Sequence, residues 1–401
     1  MENRRPLNNR GQRNFDPKRT SRFKSSSNGQ SKTKSLDPKL FVKKAVATEV
    51  IKHTPTQLIE DLQVNPKIVS NLLKKGFKTP TEIQEKTLDA ILQGRNLMGL
   101  AQTGTGKTAA FLVPIIHNLI NQRPNFQVLI VSPTRELALQ IDDEFKSISK
   151  DLNLSCISLI GGTSVSRDIN NLRRPSHLII GTPGRISDMI RQRALNLKNF
   201  SILVLDEFDR LLDMGFSNDI QFFVDGMINR KQTILFSATE EKGQKALINN
   251  LLENPVEVRV RSGNVSPDSI EQDIVVVKNG EKKMDVLVNM VRDKSFEKVL
   301  VFAETKRWVS RICKDLRMAG IKADEIHGNK SQNYRINALN SFKNKKIQVL
   351  VATDVAARGL DISHVSHVIN YQQPKNIDSY IHRIGRTGRA GESGKAFTFI
   401  N

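Results

Sequence analysis

The sequence predicts an α/β fold: two parallel-sheet domains in tandem, preceded by a disordered basic tail. Three observations carry this. From about residue 50 onward, short unbroken apolar runs alternate with helix-like stretches, the signature of βαβ units. The runs form two series, separated near residues 259–269 by a stretch containing Gly, Pro and several Ser. At 401 residues the chain also exceeds one ordinary core, since domains run to ~100–200 residues.

The tail is taken as residues 1–48. It is rich in Arg, Lys, Ser and Asn and poor in aliphatic side chains, so it cannot bury enough apolar surface to order itself. Up to Lys44 it carries 13 Lys and Arg against Glu2, Asp16 and Asp37, which is +10 of the chain's +21. That charge points to a polyanionic partner, nucleic acid before an anionic membrane surface. A solubilising tail and a nonspecific nucleic-acid tether both fit. The matching sign of the body favours the tether, and deleting residues 1–44 should then weaken binding without changing the saturated rate. The only cysteines, Cys156 and Cys313, are far apart and form no CxxC, which argues against a zinc site or a disulfide scaffold. No apolar stretch approaches a membrane span and no secretory signal core opens the chain. A cytoplasmic location is expected.

The first domain is placed at 49–260. Its strand-like runs are NLMGLA, QVLIVS, HLIIGT, SILVLD and QTILFSAT. They do not alternate with polar residues, as suits strands buried on both faces. Ligands in such sheets sit beyond the carboxyl ends of the strands. After the first run comes AQTGTGKTAAF, which opens a helix-like segment. Gly104 and Gly106 free the backbone to wrap phosphates, and the helix N-terminus adds amide donors. Lys107 can reach the β- and γ-phosphates and Thr108 can ligate Mg²⁺. A plain Gly-rich turn is the alternative, and the strand before and helix after weigh against it.

The fourth run enters ILVLDEFDRLLDMGF, Ile202 to Phe216. Acids often cap a strand before a helix, and alone this stretch says no more. Beside a phosphate loop the acids acquire a chemical purpose. Asp206 can hold Mg²⁺ through water, and Glu207 can orient and deprotonate an attacking water. A linker is placed at 261–268. The second domain, 269–401, carries the runs KVLVFAE, IQVLVAT, HVINY and KAFTFI. The chemistry is expected in a cleft between the domains.

Over about residues 59–400 these segments resemble the DEAD-box RNA helicases of superfamily 2, with DEFD in place of DEAD. The resemblance implies two RecA-like domains. GFKTPTEIQ resembles the Q motif, which puts Phe77, Thr79 and Gln84 at the nucleotide, with Gln84 reading adenine. AQTGTGKT has the family's own form, with Ala101 first. It adds Gln102, Thr103, Gly104, Thr105, Gly106, Lys107 and Thr108 to the nucleotide site. PTREL, GG and TPGR place Pro133, Thr134, Arg135, Gly161, Gly162, Thr182, Pro183, Gly184 and Arg185 on the RNA backbone. SAT, Ser237, Ala238 and Thr239, couples hydrolysis to closure and is linked to Asp209, which also reaches motif VI. VFAETK, HGNKSQNYR and ATDVAARGLD resemble motifs IV, IVa and V. In the last, Thr353 and Asp354 fall on RNA, and Gly359 and Asp361 on the nucleotide. HRIGRTGR resembles motif VI, with His382 in coupling and Arg386 and Arg389 at the arginine-finger positions.

The implied activity is RNA-stimulated ATP hydrolysis coupled to local unwinding of short RNA duplexes or remodelling of ribonucleoprotein. The implied cofactors are ATP and Mg²⁺, and the implied partner is RNA read through its backbone, with a monomeric chain and ribosomal or RNA-decay protein partners. Physical chemistry supports the assignment. Phosphoryl transfer needs positioned cations more than covalent chemistry. Short hydroxyls, guanidinium forks and bare amides suit phosphates and carry no sequence information. A noncatalytic ATP-dependent RNA clamp would be favoured by loss of Lys107, Glu207 or Arg389, and all three are present. A DNA-directed helicase differs only where the ribose 2′-OH is touched.

Three positions depart from the family. Phe208 replaces Ala and is expected to be a packing substitution, the alternative being altered timing of closure. Ile59 stands 17 positions before Gly76, where the family has an adenine-stacking aromatic. Gln372 replaces a carboxylate in NYQ. His53, His117, His177, His364 and His367 show no ligand spacing and are expected at the surface or in packing. His327 could touch the cleft by resemblance. Members of the family usually continue beyond the segment matching KAFTFI, so a longer parent chain is expected after Asn401.

Overall fold

Two sheets, both entirely parallel, organise the chain. The computed structural model describes residues 37–44, 53–102, 104–121, 127–239, 244–260, 270–357, 365–388 and 394–400. The tail up to residue 36 and at 45–48, the linker at 261–268, and Thr103, Gly359, Asp361 and Arg389 lie outside these residues.

The first sheet contains β1 (Leu97–Leu100), β2 (Gln127–Val131), β3 (Cys156–Leu159), β4 (Leu178–Gly181), β5 (Phe200–Leu205), β6 (Gln232–Ser237) and β7 (Val256–Arg259). Their order is β3-β4-β2-β5-β6-β1-β7. The second contains β8 (Ile270–Val276), β9 (Val299–Phe302), β10 (Ala323–Ile326), β11 (Val349–Ala352), β12 (His367–Asn370) and β13 (Gly394–Ile400), in the order β10-β11-β9-β12-β13-β8. Residues 36–401 form one compact unit.

The unbroken apolar runs have the cause expected of them. In β5, Ile202 and Val204 enter the core on one face of the sheet, while Leu203 and Leu205 enter the core on the other. β9 does the same, with Val299 and Val301 on one side and Leu300 and Phe302 on the other. Because every strand runs the same way, the segments after β1, β2, β4, β5 and β6 emerge at one edge of the first sheet. These segments carry AQTGTGKT, PTREL, TPGR, DEFD and SAT.

One part of the expected tail belongs to the fold. Pro38–Phe41 forms a 3₁₀ turn, Phe41 is fully buried in the core of the second sheet, and Lys43 pairs antiparallel with Gln272 on β8. A hydrophobic residue in a basic setting is invisible to a composition average, so composition draws the tail too long. Among the described residues no helix is long and apolar enough to cross a membrane.

Candidate functional site

The loop after β1 is shaped by its glycines and by Gln84. Gly104 and Gly106 take φ of 89° and 92°, a region open to glycine and costly for other residues. A Cβ on Gly106 would also stand 2.5 Å from Gln84 Nε2. The Gln84 amide is committed at both ends: Nε2 donates to the Gly106 carbonyl (3.1 Å), and Oε1 accepts from Thr81 N–H (3.0 Å). The Q-motif glutamine thus braces the loop directly. Lys107 is buried and opens the helix Lys107–Asn121, its Nζ donating to the Ala101 carbonyl at 2.8 Å. Thr108 is half-buried beside it and Thr105 Oγ1 donates to the Gln102 carbonyl. Phe77 is half-buried against the core and Thr79 is exposed.

Ile59 is not laid on an open face. It is 2 % exposed and belongs to the core, bordering with Phe77 and Gln84 a space of about 20 Å³. A stacking ring at this position would have to displace core neighbours.

The three acids after β5 have three different environments. Asp206 is buried; its Oδ1 accepts from Glu207 N–H (3.0 Å). Burial pushes its carboxyl up from the ordinary 3.8 to about 6; the nearby Lys107 charge opposes this and the Glu207 charge adds to it. Glu207 sits in the left-handed region at φ 51°, ψ 54°, a conformation that costs a non-glycine residue roughly 1–2 kcal/mol and is stored where function needs it. Its Oε2 accepts from Arg210 Nη1 at 2.5 Å, and both side chains are buried. Asp209 Oδ2 accepts from Ala238 N–H, Thr239 N–H and Thr239 Oγ1 at 3.2–3.3 Å, and Asp209 N–H donates to Ser237 Oγ. The expected link to SAT is made through backbone as well as hydroxyl. No link from Asp209 to motif VI is formed among the described residues.

The Asp206 shift sets a stability prediction. Its folded pKa lies above its unfolded one, so the contribution of this carboxyl to stability is greatest at low pH and is lost as pH rises from about 4 through 6. In the absence of metal and nucleotide, Asp206→Asn should therefore unfold at higher denaturant than the parent at pH 7.5. The gain should vanish near pH 4. Equal midpoints at both pH values would show that Asp206 is not held uncomfortably charged.

An open cleft of about 490 Å³ is lined by Pro133, Thr134, Arg135, Gly161, Thr182, Gly184 and Arg185, with the apolar Met214 and Phe216. Thr134 caps the helix Arg135–Ile148. Gly162 takes φ of 87°, a region that favours glycine, and both glycines lie close to the Arg135 guanidinium, to which an added Cβ would stand 2.6 or 2.7 Å. Pro183 fills the first turn of the helix Pro183–Arg191. Arg185 is tied up by protein: it donates to the carbonyls of Ile160 and Thr163 and lies 3.4 Å from Asp168 and 3.5 Å from Asp188.

The second lobe contributes one residue to the cleft. Arg335 lines the cleft and contacts Glu136 Oε2 at 2.8 Å; Gln332 Nε2 donates to Glu136 Oε1 at 2.9 Å. Asp354, expected at RNA, is half-buried and paired with Arg383 through two bonds of 2.5 and 2.7 Å. Arg383 also donates to Asn370 Oδ1 and the Gln372 carbonyl and lies over the Phe302 ring. Thr353 is buried just before it. His382 is half-buried on the helix Ile377–Ile384, and Arg386 is buried one turn on, with Nε donating to the His382 carbonyl. Gln372 Oε1 accepts from Glu304 N–H at 2.7 Å, a bond for which an amide oxygen serves as well as a carboxylate oxygen.

Reasoning from sequence missed Arg210, the Glu136–Gln332–Arg335 contact and Arg383. The first had a signal, an acid and a base three residues apart at the start of a helix. The others pair residues remote in sequence.

The comparisons with known proteins agree with this arrangement. The DEAD/DEAH box helicase profile matches residues 81–247, and the helicase conserved C-terminal domain profile matches 282–391. The ATP-dependent RNA helicase CshA of Listeria monocytogenes is 44% identical over 337 residues, 84% of this chain and 65% of that protein. The chain therefore spans less than two thirds of that relative. The DEAD-box ATP-dependent RNA helicase CshA of Bacillus subtilis is 40% identical over 345 residues, 86% of this chain and 70% of the relative. Among solved structures, Dbp5 of S. cerevisiae bound to RNA and ADP BeF3 superposes with a TM-score of 0.75 at 29% identity, covering 86% of this chain and 89% of that one. The DEAD-box helicase Mss116 bound to ssRNA and UDP-BeF gives 0.75 at 31%, covering 87% and 76%. With both lobes matched in order and relatives at this identity, the chain belongs to the DEAD-box family of RNA helicases.

Proposed function

We propose that this chain hydrolyses ATP in response to RNA and uses the cycle to part short RNA duplexes or remodel ribonucleoprotein. One observation supports the reading most. AQTGTGKT, PTREL, TPGR, DEFD and SAT all leave the same edge of the first sheet, and Asp209 bonds SAT two residues from Glu207. Names of the CshA relatives and the RNA-bound states of Dbp5 and Mss116 support the same reaction.

The roles follow from chemistry. Gly104, Gly106, Lys107 and the helix N-terminus bind the phosphates. Glu207 takes the proton of the attacking water, for which it must exchange its bond to Arg210. Arg386, with Arg389, stabilises charge on the transferring group. Asp206 and Thr108 fit Mg²⁺. Among the described residues no three His, Cys, Asp or Glu gather as a metal site, but Mg²⁺ needs only one or two carboxylates besides phosphates and water. Burial raises the Asp206 carboxyl, and a bound cation would favour its charged form. When bound, Mg²⁺ neutralises charge on the phosphate oxygens. A monomeric state and ribosomal or RNA-decay partners belong to this proposal on family grounds alone.

The test is ATP hydrolysis with no nucleic acid, with single-stranded RNA and with matched DNA. Stimulation by RNA alone is expected. Equal stimulation by DNA would favour a DNA-directed helicase, and no turnover under any condition would favour a clamp.

Residues 1–36 contain ten of the bases that lie before residue 45, against Glu2 and Asp16. A chain starting at residue 37 should bind RNA more weakly. The slope of log affinity against log salt should be shallower by about 0.7 for each phosphate that the tail neutralises. An unchanged slope would exclude the tail from RNA.

A further inference from the structure

We propose that Pro38–Lys43 is a clip of the second lobe that positions the helix Ile377–Ile384, and with it His382 and Arg386, for hydrolysis. The proposal rests on the ATPase reading and extends it to a segment outside every motif of the site.

The contacts close on themselves. Phe41 is fully buried in one core with Ile270, Leu300, Phe302, Tyr380 and Ile384. Its ring meets the Tyr380 ring edge-on, centroids 4.8 Å apart at 62°. Tyr380 Oη donates to Gln272 Oε1 at 2.9 Å. The backbone of Gln272 exchanges two hydrogen bonds with Lys43, both 2.9 Å. Gln272 lies on β8, the outermost strand of the second sheet, so Lys43 also covers an edge that would otherwise be open to pairing.

Tyr380 and Ile384 are on the same helix as His382 and Arg383. That helix is therefore held by the clip through Tyr380 and by the Arg383–Asp354 pair. Phe302, over which Arg383 lies, shares the core with Phe41. Loosening the clip removes one support of the helix that leads into Arg386, an arginine that must sit accurately in the transition state. The clip precedes the first lobe in sequence yet docks on the second, so the chain passes between the lobes twice.

Phe41→Ala and the conservative Phe41→Leu, each in the full chain, test this, together with Lys43→Pro, which withdraws the N–H donated to Gln272 without touching the core. Turnover at saturating ATP and RNA, both KM values, thermal melting and amide exchange over 377–384 are measured. Phe41→Ala should lower kcat about tenfold, short of the ~10²-fold that a 1 Å misplacement can cost, and leave the KM for RNA within about twofold. Exchange in the helix should quicken. Phe41→Leu should recover most of the rate, and Lys43→Pro should act in the same direction more weakly. Parent kcat in a folded Phe41→Ala overturns the proposal, as does a loss without faster exchange or one that Phe41→Leu does not recover. If Phe41→Ala fails to fold, unchanged kcat and exchange in Lys43→Pro overturn it. A parent without RNA-stimulated turnover would instead defeat the ATPase reading, and the exchange measurement would still report on the clip.

Discussion

Glu207→Gln should hold ATP and RNA but lower turnover by ~10²–10⁴-fold, the range for loss of a positioned general base. RNA should leave slowly in the presence of ATP, because the closed state is reached and hydrolysis no longer ends it. The substitution is nearly isosteric, and the glutamine oxygen can still accept from Arg210, so the left-handed turn at 207 is retained. What the structure adds is a stability term. Arg210 is 4 % exposed and Glu207 is its only ion-pair partner among the described residues. A buried guanidinium without its counter-charge is destabilising, so the melting temperature of the nucleotide-free variant should also fall. The two effects separate by ligand: the first is read in single-turnover hydrolysis and RNA release, the second in melting without nucleotide. Turnover at the parent rate would remove Glu207 from the role of base.

That pairing marks the boundary of what the sequence made legible. The sheets were legible because strands buried on both faces must be apolar at every position, as β5 and β9 are. The phosphate loop was legible because its requirements are local: two glycines at positive φ, then a lysine on the first turn of a helix. Arg383 with Asp354, and Glu136 with Gln332 and Arg335, were not legible. The partners in them stand 29 to nearly 200 residues apart, the Gln332–Glu136 bond spanning 196. Asp354 shows the consequence. Its motif suggested an RNA contact, and only the fold reveals the guanidinium bonded to both of its oxygens. Phe41 failed for another reason, since one buried ring does not alter the composition of a segment dominated by Arg, Lys and Ser.

Phe208→Ala restores the usual DEAD motif and should nevertheless destabilise the protein. Phe208 is fully buried in the core on one face of the first sheet, with Leu205, Leu211, Phe223 and Leu235 in the same cluster. Truncating such a ring leaves a cavity that the packed neighbours cannot close, at a cost of ~3–5 kcal/mol. For lobes of this size that is a fall on the order of 10 °C in melting temperature. The ring points into the core, whereas Glu207 and Asp209 on either side make the polar contacts to Arg210 and SAT. Turnover at low temperature, where the variant is folded, should therefore stay near the parent value, and so should its stimulation by RNA. The competing idea is that Phe208 shifts DEFD against SAT and so alters closure. It requires the reverse pattern: a melting temperature that barely moves and RNA stimulation that changes severalfold. Burial decides between them in advance, because a side chain with no exposed surface can retune Asp209 only by moving the core around it, and that movement has to appear in the melt. Both quantities come from one preparation, and an equally stable variant with altered RNA coupling would make Phe208 a regulatory residue.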